Sequence, residues 1–431
     1  MLMYEKKRDI MDRITVEKLI KRNIQKTIGC TDIGVVGYIA SIGAYVLRHK
    51  KINKIDLLMS DELYKNSVNV GVPGIRKSGL DQALALGILL KNPKKQLSVF
   101  ETVTEDDTSK INDLLRDIEV HISHQKFLDT VLFEKLTMTS TEGDNVEIVI
   151  RDFYDNVVSI KKNGEYLKST EKNQLIDKVL LYKIENYESI YQFVETEDFL
   201  GFDELFQIAD IQYENSREAL KTHHLAYLSE DIPQNQNENI HILSAYLKEH
   251  IEISSKKRML GDIFTVYGVA GSGNLGIGTL ITPVFLSDVF NLSESMKKKL
   301  IVLSFLTSVY VKQEMNVVTV LCGTGHATGS STAACYTYAK GGTLNDMKDA
   351  MNLYLSTSMG YVCDGAKLSC TYKVSFAAMN GLISSDMVLR KQASCNGLGL
   401  NKMDLDQTIK NLGKLNNEIL DGANKGIISL I

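Results

Sequence analysis

The sequence predicts an α+β fold in which a mostly helical domain carries a small inserted domain of strands and a helix. Apolar residues recur with helical spacing at 14–28 and 170–257, and apolar helices separated by glycine-rich turns fill the rest of the C-terminal half. Between residues 97 and 168 the pattern changes to short alternating runs, which are typical of strands. The predicted domains are a helical one, 1–95 with 170–431, and an inserted α+β one, 96–169.

Individual elements can be placed within this scheme. A helix is predicted to start at Thr31, which can cap it, and to run to Leu47. Residues 54–59 suit a short strand, and residues 79–91 suit an apolar helix after a glycine-proline turn.

The insertion is predicted to open with a strand at 97–103 and a charged helix at 108–118. Hairpin turns are indicated by Glu142-Gly143-Asp144 and Asn163-Gly164. The alternating runs that these turns separate lie near 119–124, 131–139, 145–151 and 156–162.

Composition narrows the functional class. A chain of 431 residues with 44% hydrophobic and 24% charged residues is typical of a globular protein, and its net charge of −4 gives no basic footprint for nucleic acid. The segment Met1 to Arg13 is dense in charge and lacks the apolar core of a signal peptide, so we expect a cytoplasmic protein.

One nearly uncharged stretch, 263–287, is long enough to cross a bilayer. It is also rich in glycine and contains Pro283, so its backbone would be poorly satisfied in lipid. We expect a glycine-rich turn beside a ligand and no membrane partner.

Six cysteines spread over a long chain do not form the pattern of a disulfide framework, and in a reducing compartment they indicate buried thiols, nucleophiles or metal ligands. The densest signal is the run from Cys363 to Lys373. If Asp364 caps a helix that begins at Gly365, then Cys363, Lys367 and Cys370 share one helical face. A helix N-terminus and a nearby ammonium stabilise a thiolate, which is the form that binds metal or attacks. The alternative is that these are small buried residues where helices pack together.

Cys30 and Cys322 are two further candidates. Cys30 lies at the predicted start of a helix, and Cys322 is followed by glycines that would let backbone approach a ligand. Taken alone, each is more often an ordinary buried cysteine than a ligand. The sequence contains no CxxC pair, so a structural zinc site is not expected, and Cys335 and Cys395 are interpreted as structural.

The segment Gly271-Ser272-Gly273-Asn274-Leu275-Gly276 fits GxGxxG, but no strand clearly precedes it in the sequence. Ser272 and Asn274 are therefore interpreted as donors to a substrate carboxylate, with a helix-packing turn as the alternative. His326, four residues after Cys322 in a glycine-rich segment, is the one histidine retained as an acid–base or substrate-contacting group.

Taken in order along the chain, these motifs resemble the L-cysteine desulfidase family, relatives of the α chain of iron–sulfur L-serine dehydratases. The motifs that carry the resemblance are Gly29-Cys30-Thr31-Asp32, Lys65-Asn66, Gly71-Val72-Pro73-Gly74, Gly271-Ser272-Gly273-Asn274, Cys322-Gly323 and Cys363-Asp364-Gly365-Ala366-Lys367 with Cys370. The likeness covers nearly the whole chain.

The resemblance implies a [4Fe–4S] cluster held by Cys30, Cys322 and Cys363, with one iron open to substrate. It implies elimination of hydrogen sulfide or water from a small polar amino acid, L-cysteine first and L-serine or another β-substituted amino acid as alternatives. The candidate catalytic residues are Lys367 and Asp364, and the candidate substrate contacts are Ser272, Asn274, Asn66 and His326. Cys370 is expected beside the cluster, with a fourth-ligand role as the alternative.

Several positions depart from the family pattern and indicate a divergent member. Thr-Glu-Pro is replaced by Thr31-Asp32-Ile33, a glutamine by Leu275, Asp-Ala-Arg-Met by Lys256-Lys257-Arg258-Met259, and His-Thr-Asn by Tyr154-Asp155-Asn156. A catalytically silent relative that senses an amino acid or a cluster is the alternative from another functional class. The apolar helices of the C-terminal half are also compatible with a homodimer.

Overall fold

The computed structural model describes residues 11–75, 77–170, 183–222, 232 and 238–431. The helices of the N-terminal part are α1 (Arg13–Asn23), α2 (Thr31–Leu47), α3 (Asp61–Ser67), α4 (Leu80–Leu90) and α5 (Glu105–Asp117). The later helices are Tyr187–Thr196, Asp203–Thr222, Ile240–Met259, Gly273–Val289, Glu294–Gln313, Gly323–Ala339, Leu344–Ser358, Leu368–Leu389, Leu405–Lys414 and Ala423–Ile428. A 3₁₀-helical stretch lies at Pro93–Thr102 and a π-helical turn at Leu415–Ile419. The strands are β1 (Ile24–Ile28), β2 (Ile52–Ser60), β3 (Gly71–Val72), β4 (Lys77–Ser78), β5 (Glu119–Gln125), β6 (Phe133–Ser140), β7 (Asn145–Arg151), β8 (Val157–Lys162), β9 (Glu165–Ser169) and β10 (Thr265–Val269).

Two helices form the centre of the helical part, Gly273–Val289 and Gly323–Ala339. Nearly all of their residues are buried, as expected for helices that are apolar or small on every side. Helices Glu294–Gln313, Leu344–Ser358 and Leu368–Leu389 pack around them. Among the described residues, no helix is both long enough and apolar enough to cross a membrane.

The second layer is a mixed sheet of six strands in the order β5-β2-β6-β7-β8-β9. Strands β2 and β5 run parallel, and the other neighbours pair antiparallel. Helix α2 packs on one face of this sheet, where Gly43 lies so close to Met138 that a Cβ atom would meet its sulfur at 2.6 Å. Because β2 precedes the predicted insertion, the sheet joins residues from both sides of position 96.

The predicted α+β class with a helical majority is confirmed. The strand at 54–59, the helix at 79–91, the charged helix and the four alternating runs of the insertion all appear within a few residues of their predicted places. The helical prediction for 170–257 is confirmed at Tyr187–Thr196, Asp203–Thr222 and Ile240–Met259, while 171–182, 223–231 and 233–237 lie outside the described residues. The division into two domains stays a prediction.

Two element predictions are wrong. The helix predicted at 14–28 ends at Asn23, and the next residues form β1, which pairs antiparallel with β10. The branched side chains of Ile24, Thr27 and Ile28 favour this strand. The strand predicted at 97–103 is instead 3₁₀-helical, in the second part of the stretch Pro93–Thr102, which is kinked at Gln96 and Ser98. Proline is favoured at the start of this stretch because its missing N–H has no helical partner to lose.

The inward face of β6 contains one ionisable group, Glu134, among apolar neighbours. Its side chain is 0% exposed, and neither carboxyl oxygen has a hydrogen-bond partner among the described residues. Burial raises the pKa of Glu134 from 4.5 to about 8, because the charged form would lose its hydration without compensation. At neutral pH the side chain is therefore mainly protonated.

Glu134 makes the free energy of unfolding depend on pH. Between pH 4.5 and pH 8 the folded protein keeps a proton that the unfolded chain releases, so stability falls as pH rises through this window. The slope approaches about 1.4 kcal/mol per pH unit. Glu134→Gln, which stays neutral, should lose less stability than the wild type between pH 6 and pH 8.5 in urea unfolding experiments.

A matched control is Glu147→Gln on the neighbouring strand. Glu147 pairs with Lys135 and Lys161, and these hydrogen bonds outweigh desolvation and lower its pKa, so this variant should keep the wild-type decline. Equal declines in the wild type and in Glu134→Gln would show that the carboxyl group of Glu134 is not neutral in the folded protein.

Candidate functional site

Three cysteines from distant parts of the chain, Cys30, Cys322 and Cys363, line one small cavity of about 70 Å³. We call it the cysteine cavity. The predicted substrate contacts Asn66, Ser272 and Asn274 line it, as do Cys370 and the residues Thr31, Asp32, Tyr154, Arg258, Lys312 and Thr324. The sequence-predicted ligands are thus brought together by the fold.

The N-termini of four long helices meet at this cavity. Cys30 is the N-cap of α2, Ser272 of Gly273–Val289, and Cys322 of Gly323–Ala339. The fourth helix, Leu368–Leu389, contributes Cys370 from its first turn. Because free N–H groups and the helix dipole make such ends partly positive, their convergence favours an anionic occupant.

Cys322 and Cys363 are placed side by side by backbone hydrogen bonds. An isolated antiparallel bridge joins Leu321 to Val362, with the N–H of Cys322 bonded to the carbonyl of Tyr361 at 2.6 Å and the N–H of Cys363 to that of Val320 at 2.7 Å. The side chain of Asn416 accepts from the N–H groups of Val320 and Leu321, which fixes this segment from the C-terminal part of the chain.

Cys30 is positioned by a contact between two of the sequence motifs. Gly29 has a φ of 69°, which glycine adopts without strain, and a Cβ atom there would lie 2.2 Å from the ring of Pro73. The Gly-Val-Pro-Gly turn therefore packs directly against the residue before Cys30. The thiol of Cys30 donates to Asp32, 3.2 Å away.

Burial raises the pKa of three thiols that line the cavity. Desolvation is the largest cause at Cys30, where the charge of Asp32 adds to it, and at Cys322, whose pKa rises to about 11. Desolvation also raises the pKa of Cys370. Desolvation therefore opposes the thiolate form that the helix N-termini were expected to favour. A bound metal would displace these protons.

The helix predicted to begin at Gly365 begins at Leu368, with Lys367 at its N-cap. Gly365 has a φ of 100°, outside the helical region, and a Cβ atom there would lie 2.3 Å from the carbonyl oxygen of Lys65. The prediction that Cys363, Lys367 and Cys370 share a helical face is therefore wrong, since only Cys370 is helical. Cys363 and Cys370 reach the same cavity from a loop and from a helix.

Lys367 and Asp364 lie in the loop that carries Cys363 and not among the cavity-lining residues. Lys367 is half-buried, its ammonium donates to the carbonyl of Asp364, and desolvation lowers its pKa. The carboxylate of Asp364 pairs with Lys373. Desolvation raises the pKa of Asp364, but the hydrogen bond and the charge of Lys373, with smaller contributions from the backbone and Lys367, together lower it.

The glycine-rich loop accommodates two large side chains. A Cβ atom at Gly273 would lie 2.4 Å from the guanidinium of Arg258, and one at Gly271 would lie 3.2 Å from the ring of Tyr154. A strand, β10, does precede this loop, contrary to expectation, but it pairs antiparallel with β1. The loop therefore shapes the cysteine cavity and is not part of a parallel βαβ unit.

The predicted substrate contacts already have partners. Ser272 accepts from the N–H of Leu275 and contacts the hydroxyl of Thr324 at 3.0 Å, while Asn274 accepts from Arg258 at 3.0 Å. Asn66 donates to Asp32 at 3.3 Å. His326 does not line the cavity. It is fully buried, and its ring nitrogens lie 2.8 Å from the carbonyl oxygens of Cys322 and Ser358.

Sequence reasoning missed two buried cations at the cavity, Arg258 and Lys312, which are 2% and 5% exposed. Arg258 donates to Asn274 and Thr31, and Lys312 to the carbonyls of Asn316 and Val317, so these bonds go to neutral oxygens. Desolvation lowers the pKa of Lys312 to about 8. The sequence signal that could have found Lys312 is that it is the one charged residue in the apolar run 300–312.

Asp32 and Tyr154 are also cavity residues that the sequence marked only as departures from a family pattern. The hydroxyl of Tyr154 donates to Asp32 at 2.7 Å. Tyr154 follows β7, so the sheet contributes to the site through this one buried side chain.

The donor set can be compared with the requirements of metal groups. In the described ranges, no three His, Cys, Asp or Glu side chains converge as a single metal ion would require. Cluster thiolates each bind a different iron, so they need to surround a cavity and not a point. Three cysteines around one cavity, with helix N-termini and two buried cations, fit an anionic iron–sulfur cluster.

Comparison with known proteins adds an independent finding. The UPF0597 protein of Fervidobacterium nodosum is 29% identical over 403 residues, 93% of this chain and 92% of the relative. That of Clostridium perfringens strain SM101 is 27% identical over 401 residues, 92% of this chain and 93% of the relative. That of Caldanaerobacter subterraneus subsp. tengcongensis is 26% identical over 427 residues, 97% of this chain and 98% of the relative.

A family model described as serine dehydratase alpha chain matches residues 94–429. The match contains Cys322 and Cys363 together with Arg258, Lys312 and Lys367, whereas Cys30 and Asn66 precede it. This family relation indicates a lyase of the dehydratase type. Since the match spans well over half of the sequence, the chain belongs to the serine dehydratase alpha chain family.

Proposed function

We propose that this protein is an iron–sulfur lyase that eliminates a β-substituent from a small amino acid, most readily hydrogen sulfide from L-cysteine. The observation that carries the proposal is the cavity where three cysteines meet four helix N-termini and two buried cations. Elimination of water from L-serine is the second candidate, which the family description favours.

In this proposal Cys30, Cys322 and Cys363 hold a [4Fe–4S] cluster. When bound, such a cluster supplies an iron with an open coordination position, which is a Lewis acid for a leaving thiolate or hydroxide. Cys370 lines the same cavity and packs beside these ligands, and its thiol contacts the carbonyl of Gly365.

The carboxylate of the amino acid would be bound by Arg258. Its Nη atoms are held by Asn274 and Thr31, and its Nε has no hydrogen-bond partner among the described residues. A buried donor without a partner is costly, and a carboxylate would satisfy it. In this arrangement Asn274 positions the guanidinium, and Ser272 and Asn66 complete the polar wall of the site.

The α-proton would be taken by the neutral amine of Lys367, which burial favours because it lowers the pKa of this lysine. Lys367 does not line the cavity, but it lies close enough to interact with the charges of Cys363 and Cys370, and the carbonyl of Asp364 holds its Nζ. Loss of this proton and of the β-substituent yields an enamine, which hydrolyses to pyruvate and ammonia. Asp364, paired with Lys373, would fix the loop that carries the lysine. A homodimer also stays a proposal.

The activity itself is tested with protein purified anaerobically. With L-cysteine, sulfide and pyruvate should appear in equal amounts without added pyridoxal phosphate, and with L-serine pyruvate should appear more slowly. Pyruvate from L-serine alone would assign a dehydratase. Cluster-loaded protein that released no pyruvate from either amino acid would favour the catalytically silent sensor.

The ligand assignment is tested by iron and sulfide analysis. The wild type should carry about four irons per chain. Changing Cys30, Cys322 or Cys363 to Ser should remove or destabilise the cluster, because each ligand holds a separate iron. Cys370→Ser should retain it.

The matched control is Cys335→Ser, since Cys335 is fully buried in helix Gly323–Ala339 but contacts the carbonyl of Leu300 away from the cavity. Its iron content should equal that of the wild type. Stoichiometric zinc without labile sulfide would refute the cluster, and complete cluster loss in Cys370→Ser would indicate a fourth thiolate ligand.

The role of Lys367 as base is tested by Lys367→Arg. A guanidinium cannot lose its proton at working pH, so kcat should fall by about 100-fold or more while KM and the cluster absorbance stay nearly unchanged. Steady-state kinetics and the visible spectrum measure the three quantities.

Two further lysines give the comparison. Lys373→Arg keeps the positive charge beside Asp364 and should retain most activity. Lys312→Arg tests the buried ammonium in the cavity wall. Retained turnover in Lys367→Arg together with lost turnover in Lys312→Arg would transfer the role of base to Lys312.

A further inference from the structure

A second, larger cavity of about 590 Å³ lies against the cysteine cavity. We call it the outer cavity. The two cavities share four residues, which are Tyr154, Gly271, Lys312 and Val317. These residues form a common wall, and no part of the proposed function uses the space beyond it.

The residues that line the outer cavity range from exposed ones, which form its mouth, to buried ones, which form its floor. Lys21, Arg22, Gln96, Asp155 and Lys183 at the mouth are exposed. Val309 and Met315 lie buried at the floor with Tyr154 and Lys312. A gradient from exposed to buried residues, ending at the wall of the cysteine cavity, is the shape of a passage.

The charge of the outer cavity is predominantly positive. Of the described residues that line it, four are cationic (Lys21, Arg22, Lys183 and Lys312), and Asp155 is the one carboxylate. Lys183 is paired with Glu314, so three cations remain against one carboxylate. The guanidinium of Arg22 lies 4.9 Å from the ring centroid of Phe153, which fixes its position at the mouth. A cleft lined mainly by one sign of charge concentrates ligands of the opposite sign.

We propose that the outer cavity is the passage by which a small carboxylate-bearing molecule reaches the cysteine cavity. Arg22 binds the carboxylate at the mouth, and Lys312 binds it next at the common wall. Lys312 also lines the cysteine cavity, as Arg258 does. Asp155 faces the ammonium of an amino acid at the mouth. The identity of the ligand rests on the proposed function, whereas the path through the outer cavity does not.

In this proposal Tyr154 is the part of the common wall that moves when the ligand passes. Its hydroxyl donates to Asp32, and its ring packs against Gly271, where a Cβ atom would lie 3.2 Å from the ring. Asp32 therefore accepts hydrogen bonds from both the hydroxyl of Tyr154 and the thiol of Cys30.

The test uses the metal-free protein and two alkylating probes of similar size, anionic iodoacetate and neutral iodoacetamide. The same thiolate attacks the CH₂ carbon of either reagent and displaces iodide, so the ratio of the two rates at Cys30 and Cys322 reports passage and not thiol reactivity. Mass spectrometry after digestion measures each rate. Arg22→Glu should lower the iodoacetate to iodoacetamide ratio about threefold or more at low ionic strength, and Arg22→Gln should lower it less.

Two comparisons complete the experiment. Lys18→Glu makes the same charge change on the same helix, outside the outer cavity, and should leave the ratio unchanged. The ratio at Cys395, which lines neither cavity, should not respond to any of these variants. An unchanged ratio at Cys30 and Cys322 in Arg22→Glu would overturn the passage. Since no turnover is measured, that result is distinct from failure of the proposed lyase activity.

Discussion

The site depends on the convergence of four helix N-termini on one buried cavity. Each end presents unpaired N–H groups and the positive end of a helix dipole, and Arg258 and Lys312 add two full charges with little exposure. Buried positive potential of this kind is costly unless negative charge compensates it. Asp32 is one compensating carboxylate, and thiolates bound to iron would supply the rest. The same potential would hold the carboxylate of an amino acid.

This electrostatic demand explains why the glycines lie where they do. Gly273 lets the guanidinium of Arg258 approach the start of a helix, and Gly29 lets the turn at Pro73 support Cys30. Gly365 brings the loop of Cys363 onto the backbone of Lys65. In each case a Cβ atom would lie closer than 2.5 Å to its neighbour, so the glycine permits packing that positions a charged group or a ligand cysteine.

The sequence was informative where the chemistry depends on single residues and less informative where it depends on packing. Cysteines followed by glycines or by a helix start were recognisable, and the fold brings those three together. The start of helix Leu368–Leu389 was misplaced because the positive φ of Gly365 results from contact with Lys65, nearly 300 residues earlier in the chain. Arg258 followed two lysines at a helix end, which is a pattern typical of a solvated surface. Only the tertiary structure shows that it points inwards.

The six-stranded sheet acquires a functional meaning through Tyr154. Its strands share a core with α2, whose N-cap is Cys30, so the sheet and one of the three cavity cysteines are parts of one packing unit. The bond from Tyr154 to Asp32 crosses from the end of β7 to the first turn of α2 and closes the wall between the two cavities. Because interiors respond to a shift as packed units, a movement of the sheet relative to α2 would alter this bond before it altered the cysteines themselves. Access to the site and the geometry of the ligands are therefore controlled by different residues, although both depend on the position of one helix.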